Sequence, residues 1–349
     1  MRGSFAPGRL ERMSISMTTV RSIALLGEFK GRQQLFERQS PQLLEALRDL
    51  ARVQSIESSN RIEGIVVAGD RVAAIAAEKS APKNRSEQEI AGYRDALATV
   101  HANSANMRVT PGLILQLHRD MYAFTPVRGG AWKSAPNDIV DVLADGTHRL
   151  RFQPVEPAAI EPAIRELVDG YSRVVDREEV DPLISVPAFV LDFLCIHPFT
   201  DGNGRISRIL NLLLLYQTGF EVGRYVSLER IIEDSKETYY ESLEASSQGW
   251  HEGEHDLVPW LEYSHGVLIA AYVEFEQRVG KAGSGRGAKS QRVAECIHHM
   301  PQTFRYADVE RACPDVSRPT IVRVLGQLRD KGEIRCVKGG RDAAWERLA

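Results

Sequence analysis

Twelve residues, HPFTDGNGRISR from His197 to Arg208, constrain this chain more than any other part of it. Before them, VPAFVLDFLCI reads as an apolar helix; after them, ISRILNLLLLYQTG reads as another, ending near Gly219. The loop between carries two glycines around Asn203. A glycine-rich loop feeding a helix N-terminus is an anion site, because free N–H groups converge there and the helix dipole favours negative charge. Glycine also lets the backbone approach a phosphate closely. His197 can take a proton at neutral pH. Asp201 is a hard oxygen ligand suited to a magnesium ion that also holds phosphates. Arg205 and Arg208, three apart, share a helix face and could clamp phosphate oxygens. Two arginines at a helix start oppose the dipole, so an anion there relieves a local conflict. Together these groups imply nucleotide-dependent transfer rather than a merely solvated helix–loop–helix.

The chain has 349 residues, enough for about two or three domains at ordinary domain sizes. Its 43% hydrophobic and 26% charged residues are ordinary for a soluble globular protein. A net charge of −3 excludes a general polyanion binder. The apolar run ILNLLLLY falls far short of the roughly 20 residues that span a bilayer. The N-terminal stretch has no apolar core of a secretory signal. A cytoplasmic location with no membrane contact is expected. Cys195, Cys296, Cys313 and Cys336 form no C-x-x-C pair, so they read as reduced thiols and small apolar fillers.

Residues 1–30 read as flexible. A helical region follows over 31–105: leucines at helical spacing surround Pro41, which starts a helix, and 52–64 reads as a further helix. Ser86 with Glu89 reads as a capping box. Thr110-Pro111 opens another helix. The stretch from Thr125 to Pro157 is rich in Pro, Gly, Val and Asp, and Asp145-Gly146 between two short runs predicts a hairpin. Helices resume over 156–175, 181–197, 205–217, 227–248 and 256–280. KAGSGRGAKS, 281–290, reads as a linker. The core is thus expected over 106–280 and a further domain over 291–349.

The central stretch resembles the Fic signature H-x-F-x-[D/E]-G-N-G-R-x-x-R, matching it at His197, Phe199, Asp201, Gly202, Asn203, Gly204, Arg205 and Arg208. The resemblance extends over roughly residues 50–275. It implies a mainly α fold, a Fic helical core with a small β-hairpin flap, and AMP transfer from ATP to a Ser, Thr or Tyr hydroxyl of a target protein, and to the chain itself. By the same resemblance His197 is the base, Asp201 holds Mg²⁺, Gly202–Gly204 form the anion hole with Asn203 on the α-phosphate, and Arg205 and Arg208 hold the β- and γ-phosphates. The hairpin matches the family's flap, with Ile139, Val140, Asp141, Val142, Arg149 and Leu150 laying a target segment beside the site as an added strand. Tyr239 and Tyr240 match a tyrosine pair near the adenine pocket. A homodimer is suggested. Transfer or removal of another phosphate-containing group, and a non-enzymatic nucleotide-sensing regulator, stand as alternatives.

One acid sits where helix chemistry disfavours it. In SSNRIEGI, Glu63 precedes Gly64, which suits a left-handed helix stop, so its carboxylate faces the negative end of the dipole. Ser59, Glu63 and Gly64 match an inhibitory motif of Fic proteins, [S/T]-x-x-x-E-[G/N]. The resemblance implies that Glu63 pairs with Arg208 and misaligns the γ-phosphate, while Ser59, one turn earlier, steadies the carboxylate.

The last 61 residues carry twelve Lys and Arg against eight Asp and Glu, a local +4. Three helical stretches and two short strands around Gly339-Gly340 follow one another, an order that resembles a winged helix-turn-helix domain. That resemblance places Ser317, Arg318, Thr320 and Arg323 toward DNA and Arg341 in the wing.

Overall fold

The computed structural model describes residues 3–36, 41–142, 147–284, 288–298, 300, 302–313, 316–338, 340 and 343–348. The chain forms two compact units, 1–275 and 276–349. The first is mainly helical: α1 (Met17–Phe36), α2 (Pro41–Ile62), α3 (Gly69–Ala76), α4 (Arg85–Asn103), α5 (Pro111–Met121), the hairpin β1 (Ile139–Val142) and β2 (His148–Phe152), α6 (Ile160–Asp176), α7 (Pro182–Ile196), α8 (Asn203–Gln217), α9 (Leu228–Asp234), α10 (Lys236–Ser247) and α11 (Val258–Ser284), which runs past the unit boundary. The tip of the hairpin, Asp145-Gly146, lies outside the described residues, but β1 and β2 pair antiparallel with Val140 opposite Leu150.

Helices α7 and α8 form the centre. The side chains of α7 are apolar nearly all round, Asp192 being the one charge, and are buried from Val186 to Ile196, as a helix surrounded by others requires. Pro187 lies inside α7 and cannot donate to the carbonyl of Leu183, one turn back. His265 on α11 supplies the missing donor, its Nε2 lying 2.9 Å from that carbonyl. Trp260, also on α11, donates to the carbonyl of Pro187 itself at 3.0 Å. A sequence-encoded gap in one helix is therefore filled by side chains of another.

The N-terminal expectation is overturned. Residues 17–36 are helical, Leu26 and Phe29 are buried, and Phe29 stacks on Tyr272 with ring centres 5.2 Å apart. Ahead of the helix, the backbone N–H and Oγ of Ser4 both donate to buried Asp192, at 2.7 and 2.8 Å. Gly27 and Gly31, poor helix formers, had masked the pattern. The stretches on either side of residue 51 are one helix, α2. The cap of α4 sits two residues earlier than Ser86: Asn84 accepts from the N–H of Glu87 at 2.9 Å, and Glu87 reaches back to the N–H of Lys83 at 2.8 Å. Glu89 is left for another partner. Thr110 caps α5 as expected.

The second unit holds α12 (Ala288–His298), β3 (Thr303–Arg305), α13 (Tyr306–Ala312), α14 (Arg318–Asp330), β4 (Ile334–Lys338) and β5 (Ala344–Arg347). Its antiparallel sheet has the order β3-β5-β4, so β3 is a strand that three residues of sequence did not announce. Val293, Ile297, Phe304, Val309, Ile321 and Leu325 build its core. The expected linker is helical up to Ser284 and again from Ala288, since Lys281 and Ala282 are good helix formers. Arg341 and Gly339 lie outside the described residues. Cys336 is exposed rather than a filler. Among the described residues no helix is long and apolar enough to cross a membrane.

Gly92 lets α4 and α5 touch. A Cβ there would lie 1.9 Å from the carbonyl oxygen of Met121, which cannot move without dragging the end of α5. Gly92→Ala is expected to cost about 3 kcal/mol through overpacking. Calorimetry on the full chain should show a lowered melting transition, and an unchanged one would contradict this packing.

Candidate active site

The site begins where α7 stops. His197 takes a left-handed conformation, φ +51°, as the residue ending that helix, and its N–H still reaches the carbonyl of Phe193 at 3.0 Å. A non-glycine residue held there is strained, and such strain clusters at functional positions. Its Nδ1 lies 3.3 Å from the carbonyl of Leu194, which makes Nδ1 the donor and leaves Nε2 with a free lone pair. Burial, helped by the charge of Lys133, pushes the imidazole pKa down to about 4, so the ring is neutral at physiological pH.

The loop is closed by its own side chains. Asn203 accepts from the N–H of Phe199 at 2.9 Å and donates to the carbonyl of Phe199 at 2.7 Å. Its amide is therefore engaged within the loop, which leaves its backbone N–H in the first turn of α8. Asn137 donates to the same carbonyl at 2.9 Å. The Phe199 ring is fully buried and stacks on His118 at 3.7 Å and on Trp132 at 5.3 Å. His118 accepts at Nδ1 from the N–H of Gly130, so its Nε2–H donates to the carbonyl of Asp201, 3.1 Å away. Gly202, at φ +84°, turns the chain into α8, whose first turn has no side-chain cap. Its uncapped N–H groups remain for an anion. The Asp201 carboxylate accepts from the N–H of Gly202 at 2.6 Å and is 63% exposed.

The two arginines do different things. Arg205, expected as a phosphate clamp, is 1% exposed and bound into the protein. It donates to Glu89 at 2.7 Å, to Tyr122 Oη at 3.0 Å and to Asn60 at 3.4 Å, and lies 3.7 Å from Asp201. A guanidinium so deeply buried needs a carboxylate, and once it has one it braces the loop instead of facing the opening.

Arg208 is also buried, yet it is gripped by α2. Its Nε donates to Ser59 Oγ and its Nη2 to the Ser59 carbonyl, both at 2.8 Å, and Nη2 also donates to Glu63 at 2.8 Å. Burial is the largest single influence and opposes its charge, but the Glu63 carboxylate, with Tyr239 and Tyr93, together hold its pKa above the usual arginine value. Ser59 thus orients Arg208, not the carboxylate it was expected to steady. Gly64, at φ +81°, ends the turn, with the N–H of Ile65 bonded to the carbonyl of Asn60 at 3.0 Å. Arg208 Nη1 has no partner and lies 3.3 Å from where a Cβ on Gly204 would stand. Glu63 Oε1 would lie only 2.2 Å from that Cβ, so the carboxylate sits directly over the anion loop.

A cavity of about 340 Å³ opens over this point, lined by Glu63, His197, Gly204, Tyr239, Tyr240, Ile139, Val140, Arg151 and others. Tyr239 is buried among Tyr240, Trp260 and Tyr263, and Tyr240 is half-buried at the wall. Arg149 and Arg151, two apart on β2, point to one side of the hairpin, as alternation demands. Arg149 pairs with Glu244 at 3.2 Å and Arg151 lies over the Tyr240 ring at 5.2 Å, both on α10. Val140 and Leu150 are both exposed, but Val140 lines the cavity while Leu150 and Arg149 do not. Asp141 and Val142 pair with Arg149 and His148 in the strand register. Tyr122, Asn60, His118, Lys133 and Arg151 were not singled out from sequence, and Glu89 was read only as part of a cap. Only Arg151, in the alternating R-L-R of β2, carried a readable signal.

In the second unit, Ser317, Arg318 and Arg323 lie exposed at the start of α14, and Thr320 is half-buried. Ser317 and Thr320 hydroxyls are 3.1 Å apart, Arg318 lies over Tyr306, and Arg323 donates to Ser290 at 2.7 Å.

Glu89→Gln would leave the Arg205 charge buried without its carboxylate. The expected loss of stability is about 3 kcal/mol, the scale for breaking a buried ion pair. Urea unfolding of the full chain checks it; a change well under 1 kcal/mol, within the scale of exposed pairs, would contradict the bracing role.

Comparison with known proteins bears on what such a site is. Residues 108–215 match the model of the Fic/DOC family. A Fido domain-containing protein of Dictyostelium discoideum is 31% identical over 115 residues, 32% of this chain and 76% of that protein. A protein adenylyltransferase Fic of Nematostella vectensis is 25% identical over 218 residues, 60% of this chain and 45% of the relative, so the chain spans less than half of that protein. Among solved structures, a Fic family protein from Desulfovibrio desulfuricans G20 superposes with a TM-score of 0.62 at 20% identity, covering 97% of this chain and 98% of that one. With its signature loop built between α7 and α8, the chain belongs to the Fic/DOC family.

Proposed function

We propose that this chain transfers AMP from ATP to a Ser, Thr or Tyr hydroxyl of a target protein, and that Glu63 restrains the transfer. The observation that carries this is the state of Arg208. One of its NH₂ groups is held by Glu63, while the other, buried and unpartnered, lies beside Gly204 where a phosphate oxygen would meet it. An orphaned buried donor is costly and calls for an acceptor.

In the transfer, the target hydroxyl oxygen forms a bond to the α-phosphorus. The bond from that phosphorus to the oxygen bridging the β-phosphate breaks, and pyrophosphate leaves. His197 Nε2 takes the hydroxyl proton, having the free lone pair and a neutral ring. The uncapped first turn of α8 receives the phosphate charge, and positioning of this kind dominates phosphoryl-type transfer. The exposed Asp201 carboxylate fits one ligand of a magnesium ion whose other ligands are phosphates and water, and such an ion neutralises phosphate charge when bound. Tyr239 and Tyr240 line the same cavity and suit a stacked purine. The hairpin offers backbone for an added strand and, in Val140 and Leu150, exposed apolar side chains for the target segment.

Glu63 acts as a built-in competitor. Its oxygen occupies the space over Gly204, so a nucleotide reaching Arg208 must displace it. The restraint needs no other domain, because α2 presents Ser59, and the turn that ends it presents Glu63, to the same guanidinium.

For the second unit we infer a winged-helix module that docks on DNA through the start of α14. Exposed Arg318 and Arg323 support this, and the order of three helices with an antiparallel sheet matches it.

Glu63→Gly is expected to raise self-labelling from α-labelled ATP on the order of tenfold or more, about 1.4 kcal/mol of barrier. Adding His197→Ala should remove the label. No rise in the first variant would defeat the restraint, and retained label in the second would defeat the base. For the second unit, the full chain should shift genomic DNA fragments in a gel at low salt and lose the shift as salt rises. A salt-insensitive result, or no shift, would turn the module into a protein-docking surface.

A further inference from the structure

Away from the catalytic cavity, a second hollow of about 520 Å³ lies between α2, the end of α4 and the turn Val222–Arg224. Its charged lining is Arg48, Asp49, Arg52, His101, Glu221 and Arg224. None of these lines the 340 Å³ cavity. Each acid already has an arginine, Asp49 with Arg52 at 3.5 Å and Glu221 with Arg224 at 3.0 Å. Among the described residues Arg48 has no carboxylate partner, so the hollow's described lining keeps one positive charge in excess.

The arginines are also held in place before any ligand arrives. Arg48 donates to Tyr225 Oη at 3.0 Å and lies over that ring. Arg224 lies 4.2 Å over the Tyr216 ring and donates to Ser104 Oγ at 2.9 Å and to the carbonyl of His101. Arg52 Nε is buried with no partner. Burial first, then the charges of Arg224, Arg52 and Arg48, push His101 down to about 4, which reports a positive local field. Planar guanidinium groups with spare N–H donors, pre-oriented around one hollow, match adjacent phosphates better than a single carboxylate.

We propose that this hollow is a second anion site that takes a phosphorylated small molecule bearing neighbouring phosphates, of pyrophosphate to nucleotide size. It stands apart from the proposed adenylyl transfer and does not depend on it. Arg48 and Arg52 belong to α2, the helix that carries Ser59 and ends one residue before Glu63, so an occupant here grips that helix three to four turns upstream of Glu63.

The test is calorimetric titration of the full chain with inorganic pyrophosphate. Arg208→Ala removes the main cation of the catalytic loop, and this variant is expected to keep one salt-sensitive binding event. In that background, Arg48→Ala with Arg52→Ala should weaken the event about tenfold or more, a loss of about 1.4 kcal/mol. Arg52→Gln alone, at a half-exposed side chain, should weaken it without disturbing the fold, as checked by an unchanged melting temperature. Loss of all binding with Arg208→Ala, or binding indifferent to the Arg48 and Arg52 changes, would overturn the second site. Failure of the catalytic reading leaves a different trace: equal binding in Arg208→Ala and the unaltered chain.

Discussion

The pairing of Arg205 with Glu89 is the constraint from which the site's architecture follows. Taking a guanidinium to 1% exposure costs several kcal/mol in lost hydration, and only a well-placed carboxylate offsets it. The four groups around this charge come from separate places: Asn60 on α2, Glu89 on α4, Tyr122 just past α5, and Asp201 in the loop. One buried cation therefore ties three helices to the start of α8. The helical region before residue 106 and the core after it are consequently one compact body, and the signature loop has its shape because the N-terminal helices complete it.

Two arginines three apart on one helix look like a matched pair in sequence, yet their surroundings divide them. Arg205 uses both NH₂ groups on Glu89, Asn60 and Tyr122, and only its buried Nε is left unbonded among the described residues. Arg208 receives oxygens from α2 but keeps one NH₂ unbonded beside Gly204. The difference comes from which helices lie opposite each position. The same residue type thus serves as a brace at one step and as an adjustable charge at the next.

Much of this was legible from sequence where signals were local. Periodic leucines, Pro41, Thr110-Pro111 and the glycines of the loop placed their elements well, because each acts within a turn of itself. The Glu63–Arg208 contact was reached only through the resemblance to a family; nothing local links residues 145 apart. Misses share a physical cause. Asn84 and Ser86 were both sound caps two residues apart, and the choice rests on Glu87 also bonding Arg71, while Glu89 goes to an arginine 116 residues downstream. The N-terminal helix was obscured by its glycines, whose weak propensity is overridden by packing on Tyr272. β3 is three residues long and exists because β5 lies beside it.

Glu63 standing over Gly204 has a kinetic meaning. A diffusing inhibitor competes in proportion to its concentration, but a carboxylate carried on the end of a packed helix has a fixed effective concentration that dilution cannot change. On the proposed reading, a cell cannot relieve this chain by lowering the amount of anything. Relief comes from a nucleotide that displaces it at Arg208, or from what holds α2: its packing against α9, its bonds to Arg208, and the side chains along its earlier turns. The threshold for activity is then a mechanical property of one helix, set when the protein folds.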